Sequence, residues 1–195
     1  MKTIDKKQKE NVLVVGVDFG DKSDIDIDSS MVELKKLVEA VGGQVVCSIV
    51  QKKNRIDPAY FIGKGKAIEI KKNCQKKDID TVIFNDELSG AQIRNLENMI
   101  ERKIIDRTNL ILDIFAKRAT TREGKLQIEL AQLNYMLPRL VGYRDYLSRE
   151  GGGIGTRGPG EQKLETDRRH ILREINNIEK ELEDIERVRD IKRKR

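Results

Sequence analysis

The chain has 195 residues, 37% of them hydrophobic and 37% charged, a length that fits one domain or two small ones. Its net charge of +6 and pI of about 9.2 favour a polyanionic partner. Because no apolar run approaches the roughly 20 residues of a membrane span, and residues 1–10 lack the apolar centre of a signal peptide, we expect a cytoplasmic protein with no membrane partner.

The N-terminal half alternates between strand and helix patterns. Short apolar runs predict strands over residues 12–17, 44–50, 81–84 and 104–105. Helices are predicted between them, over residues 30–41, 65–77 and 89–100. The first helix follows an acidic loop, begins at the capping box Ser30-x-x-Glu33 and ends at Gly42. This order predicts an α/β domain over residues 1–106, with a small parallel sheet and flanking helices.

Beyond residue 106 the pattern becomes helical. Helices are predicted over residues 108–119, 121–143 and 161–191. The last two carry apolar residues at alternating steps of four and three, Leu126, Leu130, Leu133, Leu137 and Leu140 in one and Ile171, Ile175, Ile178, Leu182 and Ile185 in the other. Such seams predict a long antiparallel α-helical hairpin over residues 107–195. Pro138 is expected to kink its first helix or shorten its last turn.

A glycine-rich segment joins the two predicted helices and should form the tip of the hairpin, at residues 147–160. Six of the fifteen glycines lie within residues 151–160. Glycine lets main chain approach a rigid surface closely and bind anions through its N–H groups. Residues 139–170 hold seven basic and five acidic side chains, so the projecting loop, more than bulk charge, favours RNA. The predicted RNA-binding residues are Arg144, Arg149, Gly151, Gly152, Gly153, Gly155, Thr156, Arg157, Gly158, Pro159, Gly160 and Lys163.

A second candidate site lies at the carboxyl edge of the predicted sheet, where parallel sheets bind ligands. A nucleotide or another small molecule could bind there; the alternative is ordinary loop and helix-cap chemistry. The residues concerned are Gly63, Lys64, Gly65, Lys66, Asn85 and Asp86.

Other motifs give no catalytic or metal site. Neither Gly63-Lys64 nor Gly124-Lys125 continues into a phosphate-binding P-loop, and the glycines at 153–158 lack the strand that a dinucleotide fingerprint requires. His170, the only histidine, follows two arginines and is expected on the surface, and Cys47 and Cys74 are expected to be reduced thiols. This chain is therefore not expected to be an enzyme or to hold a cofactor.

Several stretches resemble the HflX-type ribosome-associated GTPases. The long signature over residues 151–169 carries most of the resemblance, and residues 58–66, 84–89 and 127–133 are also similar. The resemblance implies an N-terminal α/β domain, a helical hairpin and then a GTPase domain. That last domain is absent from this sequence, so GTP and Mg²⁺ are expected only there.

The resemblance also implies partners. These are the large ribosomal subunit with its 23S rRNA, and the C-terminal GTPase domain of the same protein. The loop matching residues 151–160 would reach toward the peptidyl transferase centre, and the whole would support ribosome splitting and rescue. Two alternatives stay open: a nucleotide-binding α/β domain, and a regulatory scaffold for the adjacent GTPase domain.

Overall fold

The computed structural model describes the backbone of residues 9–20, 26–150 and 159–193, and the side chains of residues 9–20, 26–140 and 165–193. The elements are β1 (Asn11–Asp18), α1 (Ile27–Ala40), β2 (Gln44–Lys52), α2 (Lys64–Lys76), β3 (Thr81–Phe84), α3 (Gly90–Ile100), β4 (Lys103–Asp106), α4 (Arg107–Arg118), α5 (Arg122–Glu150) and α6 (Pro159–Arg193). The predicted fold class, a parallel α/β sheet followed by a helical hairpin, is confirmed. None of the described helices is long and apolar enough to cross a membrane.

The sheet has four parallel strands in the order β2-β1-β3-β4. β1 is paired on both sides and covered on both faces, which explains its continuous run of buried apolar residues. β2 lies at an edge, where its side chains alternate between exposed and half-buried and leave Val46 and Val50 in solvent.

Helices cover both faces of the sheet. Alternate β1 residues, such as Leu13 and Val15, belong to a core formed with α2 and α3. The opposite face receives α1, which approaches so closely that a Cβ at Gly16 would lie 2.6 Å from Met31 Sδ. α1 and α2 therefore lie on opposite faces, as in a doubly wound sheet.

The predicted start of α1 is wrong. The helix begins at Ile27, one turn earlier than the capping box indicated, because the Asp26 carboxylate accepts hydrogen bonds from the amides of Asp28 at 3.3 Å and Ser29 at 3.1 Å. The hydroxyl of Ser30 is used by a loop partner instead. The end of the helix is as predicted, since Gly42 adopts a φ of 90° and donates to the Glu39 carbonyl.

The described chain groups into two compact units. The sheet unit contains the residues up to Leu88 together with Gln92–Ile111, and the hairpin unit contains Ser89–Ala91 together with the residues from Leu112 onward. In the hairpin unit α5 and α6 pack antiparallel, because Arg122 at the start of α5 pairs with Glu181 of α6 at 2.6 Å. The predicted seam of α6 is buried at Ile171, Ile175 and Ile178.

Two expectations about α5 and the tip need correction. α5 was predicted to end at residue 143, with Pro138 shortening its last turn as one option, but it continues through Pro138 to Glu150. The loop predicted over residues 147–160 overlaps helices at both ends, because α5 reaches Glu150 and α6 begins at Pro159; residues 151–158 lie outside the described part of the chain. Proline suits this first helical position, where its missing N–H would have no partner in any case.

Candidate functional site

A cavity of about 540 Å³ opens at the carboxyl edge of the sheet, within the sheet unit. Its walls come from the end of β1, the first turns of α1, the segment after β3 and the start of α4. The chain passes from β1 to β2 on one side and then from β2 across to β3 on the other. The crevice between β1 and β3 is therefore the topological switch point, where open α/β sheets bind their ligands.

Arg107 organises the polar wall of this cavity. Its Nη2 lies 2.7 Å from Glu33 Oε2, and its Nη1 donates to Asn85 Oδ1 at 2.9 Å and to Ser30 Oγ at 3.3 Å. Asn85 Nδ2 donates to the same Ser30 oxygen at 2.9 Å. One guanidinium thus ties together α1, the segment after β3 and α4 through charge-assisted bonds.

Asp86 stands beside this network with one carboxyl oxygen unused. The Val17 amide donates a hydrogen bond to the carboxyl group, but Oδ2 is buried and has no hydrogen-bond partner among the residues that the structure describes. Burial raises the pKa of Asp86 above its ordinary value of 3.8, while the Val17 hydrogen bond and the Arg107 charge act in the opposite direction. An unsatisfied buried acceptor costs about 1–3 kcal/mol, so this oxygen opposes the stability of the folded chain.

The N-terminus of α1 is capped by a carboxylate of the chain itself, that of Asp26. Asp26 accepts the Ser29 hydroxyl at 2.5 Å, and this bond, followed by the two amide bonds, lowers the pKa of Asp26. A carboxylate thus occupies the place where a helix N-terminus would bind a free anion. Among the described lining residues, the acids Asp26, Glu33 and Asp86 face a single base, Arg107.

The six residues predicted for the sheet edge fall into two groups. Asn85 and Asp86 line the cavity. Gly63, Lys64, Gly65 and Lys66 are absent from its described lining; they start α2, on the sheet face opposite α1. There the Gly63 amide donates to Gln51 Oε1 at 3.1 Å, and Lys66 pairs with Glu69 at 2.6 Å.

The sequence analysis assigned only Asn85 and Asp86 of the described lining residues to this site, and it missed Ser30 and Arg107 of the polar network. The sequence pattern assigns Ser30 to a helix cap, and Arg107 directly follows a short strand without any motif around it. A signal was nevertheless present, because Arg107 follows the carboxyl end of β4 and Ser30 lies in the first turn of the helix after β1. Both are positions at which parallel sheets place ligand-binding groups.

The predicted RNA-binding residues lie at the junction of α5 and α6. Arg144 and Arg149 are in α5, and Pro159, Gly160 and Lys163 are in the first turns of α6. The others, Gly151, Gly152, Gly153, Gly155, Thr156, Arg157 and Gly158, lie outside the described residues. His170, on α6, is exposed as expected.

Comparison with known proteins gives two family matches in tandem. The family "GTP-binding GTPase N-terminal" matches residues 28–116, and "GTP-binding GTPase Middle Region" matches residues 118–195. The chain is 52% identical over 189 residues to the GTPase HflX of Caldanaerobacter subterraneus, covering 97% of this chain and 43% of the relative. The chain belongs to the HflX family. Its resemblance to HflX-type GTPases is thereby confirmed.

A second HflX relative and a solved structure are also similar to this chain. The Escherichia coli GTPase HflX is 44% identical over 181 residues, which cover 93% of this chain and 42% of that protein. A GTP-binding protein from Sulfolobus solfataricus, solved in complex with GDP, shares the fold with a TM-score of 0.60 and 24% identity, over 91% of this chain and 46% of that one. The chain spans less than half the length of the two HflX relatives and of this solved protein.

Proposed function

We propose that this chain is the ribosome-binding N-terminal region of an HflX-type GTPase. In this proposal residues 151–160 contact large-subunit 23S rRNA near the peptidyl transferase centre and so support ribosome splitting and rescue. GTP and Mg²⁺ are bound by the part of the relatives that this chain does not span, and this chain also partners that GTPase domain.

The paired helices of the hairpin unit carry this proposal. α5 has 29 residues and α6 has 35, so at about 1.5 Å per residue each exceeds 40 Å in length. Both run directly into the glycine-rich segment, from Glu150 on one side and Pro159 on the other. Ion pairs of Arg122 with Glu181 and of Arg189 with Glu123 hold the far ends of the helices together. A stiff support of this kind suits a loop that must approach RNA.

Sedimentation with purified large ribosomal subunits tests the proposal. A variant with residues 151–160 replaced by a short Ser-rich linker should lose most of its co-sedimentation. Unchanged binding by that variant would overturn the assignment of the tip and leave the scaffold for the adjacent GTPase domain as the better explanation.

A pair of charge-matched variants separates a specific contact from general attraction. Replacing Arg149, Arg157 and Lys163 by alanine removes three positive charges beside the tip. Replacing Arg187, Lys192 and Arg193 removes three at the opposite end of α6. We expect the first set to weaken binding much more than the second, whereas equal losses would indicate nonspecific attraction.

A further inference from the structure

We propose that Cys47 and Lys77 form a site of oxidative modification, in which hydrogen peroxide converts the thiol to a sulfenic acid and the lysine amine then closes a sulfenamide cross-link. This site lies in the sheet unit and is independent of the hairpin tip. Its argument depends on the contact between the two side chains, on the exposure of Cys47 and on the burial of the second cysteine, Cys74.

A lysine amine and a cysteine thiol are in direct contact at the edge strand of the sheet. Nζ of Lys77 donates a hydrogen bond to Sγ of Cys47 at 3.4 Å. Cys47 lies within β2, and Lys77 caps the end of α2, where its own amide donates to the Asn73 carbonyl. Secondary structure thus fixes the main chain of both residues, and the distance between nitrogen and sulfur is that of reacting atoms held ready for bond formation.

The two cysteines of the chain differ in their exposure. Cys47 is half-buried and packs against the core cluster, whereas Cys74 is fully buried within that cluster. Lys77, the neighbour of the Cys47 thiol, is exposed. Because the oxidation of cysteines is selective for accessible thiols, a small oxidant from solvent should react with Cys47 and spare Cys74.

A disulfide between the two cysteines is the competing product. Burial raises the pKa of the Cys74 thiol to about 11, while the Arg102 charge lowers it and Cys47 raises it. A thiolate rather than a thiol attacks an oxidised sulfur, so Cys74 is a poor nucleophile at neutral pH. The exposed amine of Lys77, which exchanges protons with solvent and already touches the sulfur, is therefore the better partner for the sulfenic acid.

The chemistry balances in two steps. The Cys47 thiolate attacks one peroxide oxygen, the O–O bond breaks and hydroxide leaves, so sulfur is oxidised by two electrons and the peroxide is reduced. The neutral amine of Lys77 then attacks this sulfur. The S–N bond forms as the S–O bond breaks, and the departing hydroxide takes a proton from nitrogen and leaves as water. Overall the two side chains lose two hydrogen atoms, and the peroxide becomes two molecules of water.

Peptide mapping of the folded chain after brief treatment with hydrogen peroxide tests the site. In mildly alkaline buffer, the peptides containing Cys47 and Lys77 should become joined, with a mass about 2 Da below their sum, and dithiothreitol should separate them. After denaturation Cys74 should still alkylate as a free thiol. A disulfide of Cys47 with Cys74 would overturn the proposal, and so would a Cys47 that stays unmodified or carries added oxygen without a cross-link.

Two lysine variants show which amine reacts. Lys77→Arg should abolish the cross-link and leave a sulfenic acid on Cys47 that dimedone traps. Lys76→Arg is the matched control, one residue earlier in the last turn of α2, and it should cross-link like the unmodified chain. Both changes keep the positive charge at exposed positions, so the fold should be unaffected. A cross-link that survives in Lys77→Arg, or that is lost equally in both variants, would reject the pairing of Cys47 with Lys77.

Discussion

The ionised side chain of Asp86 destabilises the folded protein. Its carboxyl group is held in a buried position where burial outweighs the Val17 hydrogen bond and the Arg107 charge, and the pKa is raised. The charged form is therefore less favourable in the folded state than in the unfolded chain, so ionisation of Asp86 weakens the fold.

The pH dependence of Asp86→Asn follows from that sign. The penalty is absent well below the ordinary pKa of 3.8, grows as the pH rises from there to the raised folded pKa, and stays constant above it. The variant should therefore melt at a higher temperature than the unmodified chain at pH 7. Their difference should shrink as the pH falls toward 4. A variant that is less stable at pH 7 would mean that the carboxylate has a partner after all.

Gly90 offers a second residue-level prediction, in the hairpin unit. A Cβ at this position would lie 2.4 Å from the carbonyl oxygen of Arg139, and main chain there has little room to move. Gly90→Ala should therefore destabilise the protein by about 1–3 kcal/mol in urea unfolding. Gly65→Ala is the matched control in a helix: no atom lies within 4 Å of its Cβ. It should stabilise by about 0.5–1 kcal/mol.

At the level of elements, α6 contributes most to the hairpin through a short buried stretch. Ile171, Ile175 and Ile178 are buried, whereas Val188 and Ile191 near its end are exposed. The helix is polar on its other positions, so its stability should come from this stripe and from the ion pairs with α5.

Ile175→Ala tests the importance of this stripe. Removal of a buried isoleucine side chain leaves a cavity and should cost about 2–5 kcal/mol in urea unfolding. Ile191→Ala removes the same atoms from a site that is 56% exposed and should change stability by less than about 0.5 kcal/mol. Similar effects of the two substitutions would show that α6 does not depend on its packing against α5.

The elements were largely predictable from sequence, and the reasons for the exceptions are local. The continuous apolar run of β1 predicts a buried strand, and the spacing of the isoleucines of α6 predicts a helix with one buried side. Packing in the folded chain agrees with both patterns. The start of α1 was predicted wrongly because Asp26 and Ser30 are both good caps, and only the fold shows that Ser30 is bonded to Asn85. The cavity was half predictable: Asn85 and Asp86 follow a strand, but Arg107 joins them through spatial contacts that no spacing encodes.

At the level of the whole molecule, the net positive charge does not extend to every surface. The net charge of +6 is spread over a sequence rich in both signs, while the cavity wall is acidic. Under our proposal the RNA contact belongs to the hairpin unit, and the acidic cavity wall of the sheet unit does not favour a polyanion.

Salt dependence tests the proposed contact between the hairpin tip and RNA phosphates. If Arg149, Arg157 and Lys163 make three phosphate contacts, raising salt from about 50 to 200 mM should weaken large-subunit binding about 20- to 40-fold. Salt-insensitive co-sedimentation would show that those three side chains do not contact phosphates.

The edge position of β2 has a practical consequence. Within the described residues no further strand pairs with the outer side of β2, and apart from Lys52 at its end this strand has no charged side chain to repel one. Such an edge is a template for pairing between copies when the protein is concentrated or heated. A lysine in place of the outward-facing Ser48 should therefore delay thermal aggregation without altering the fold.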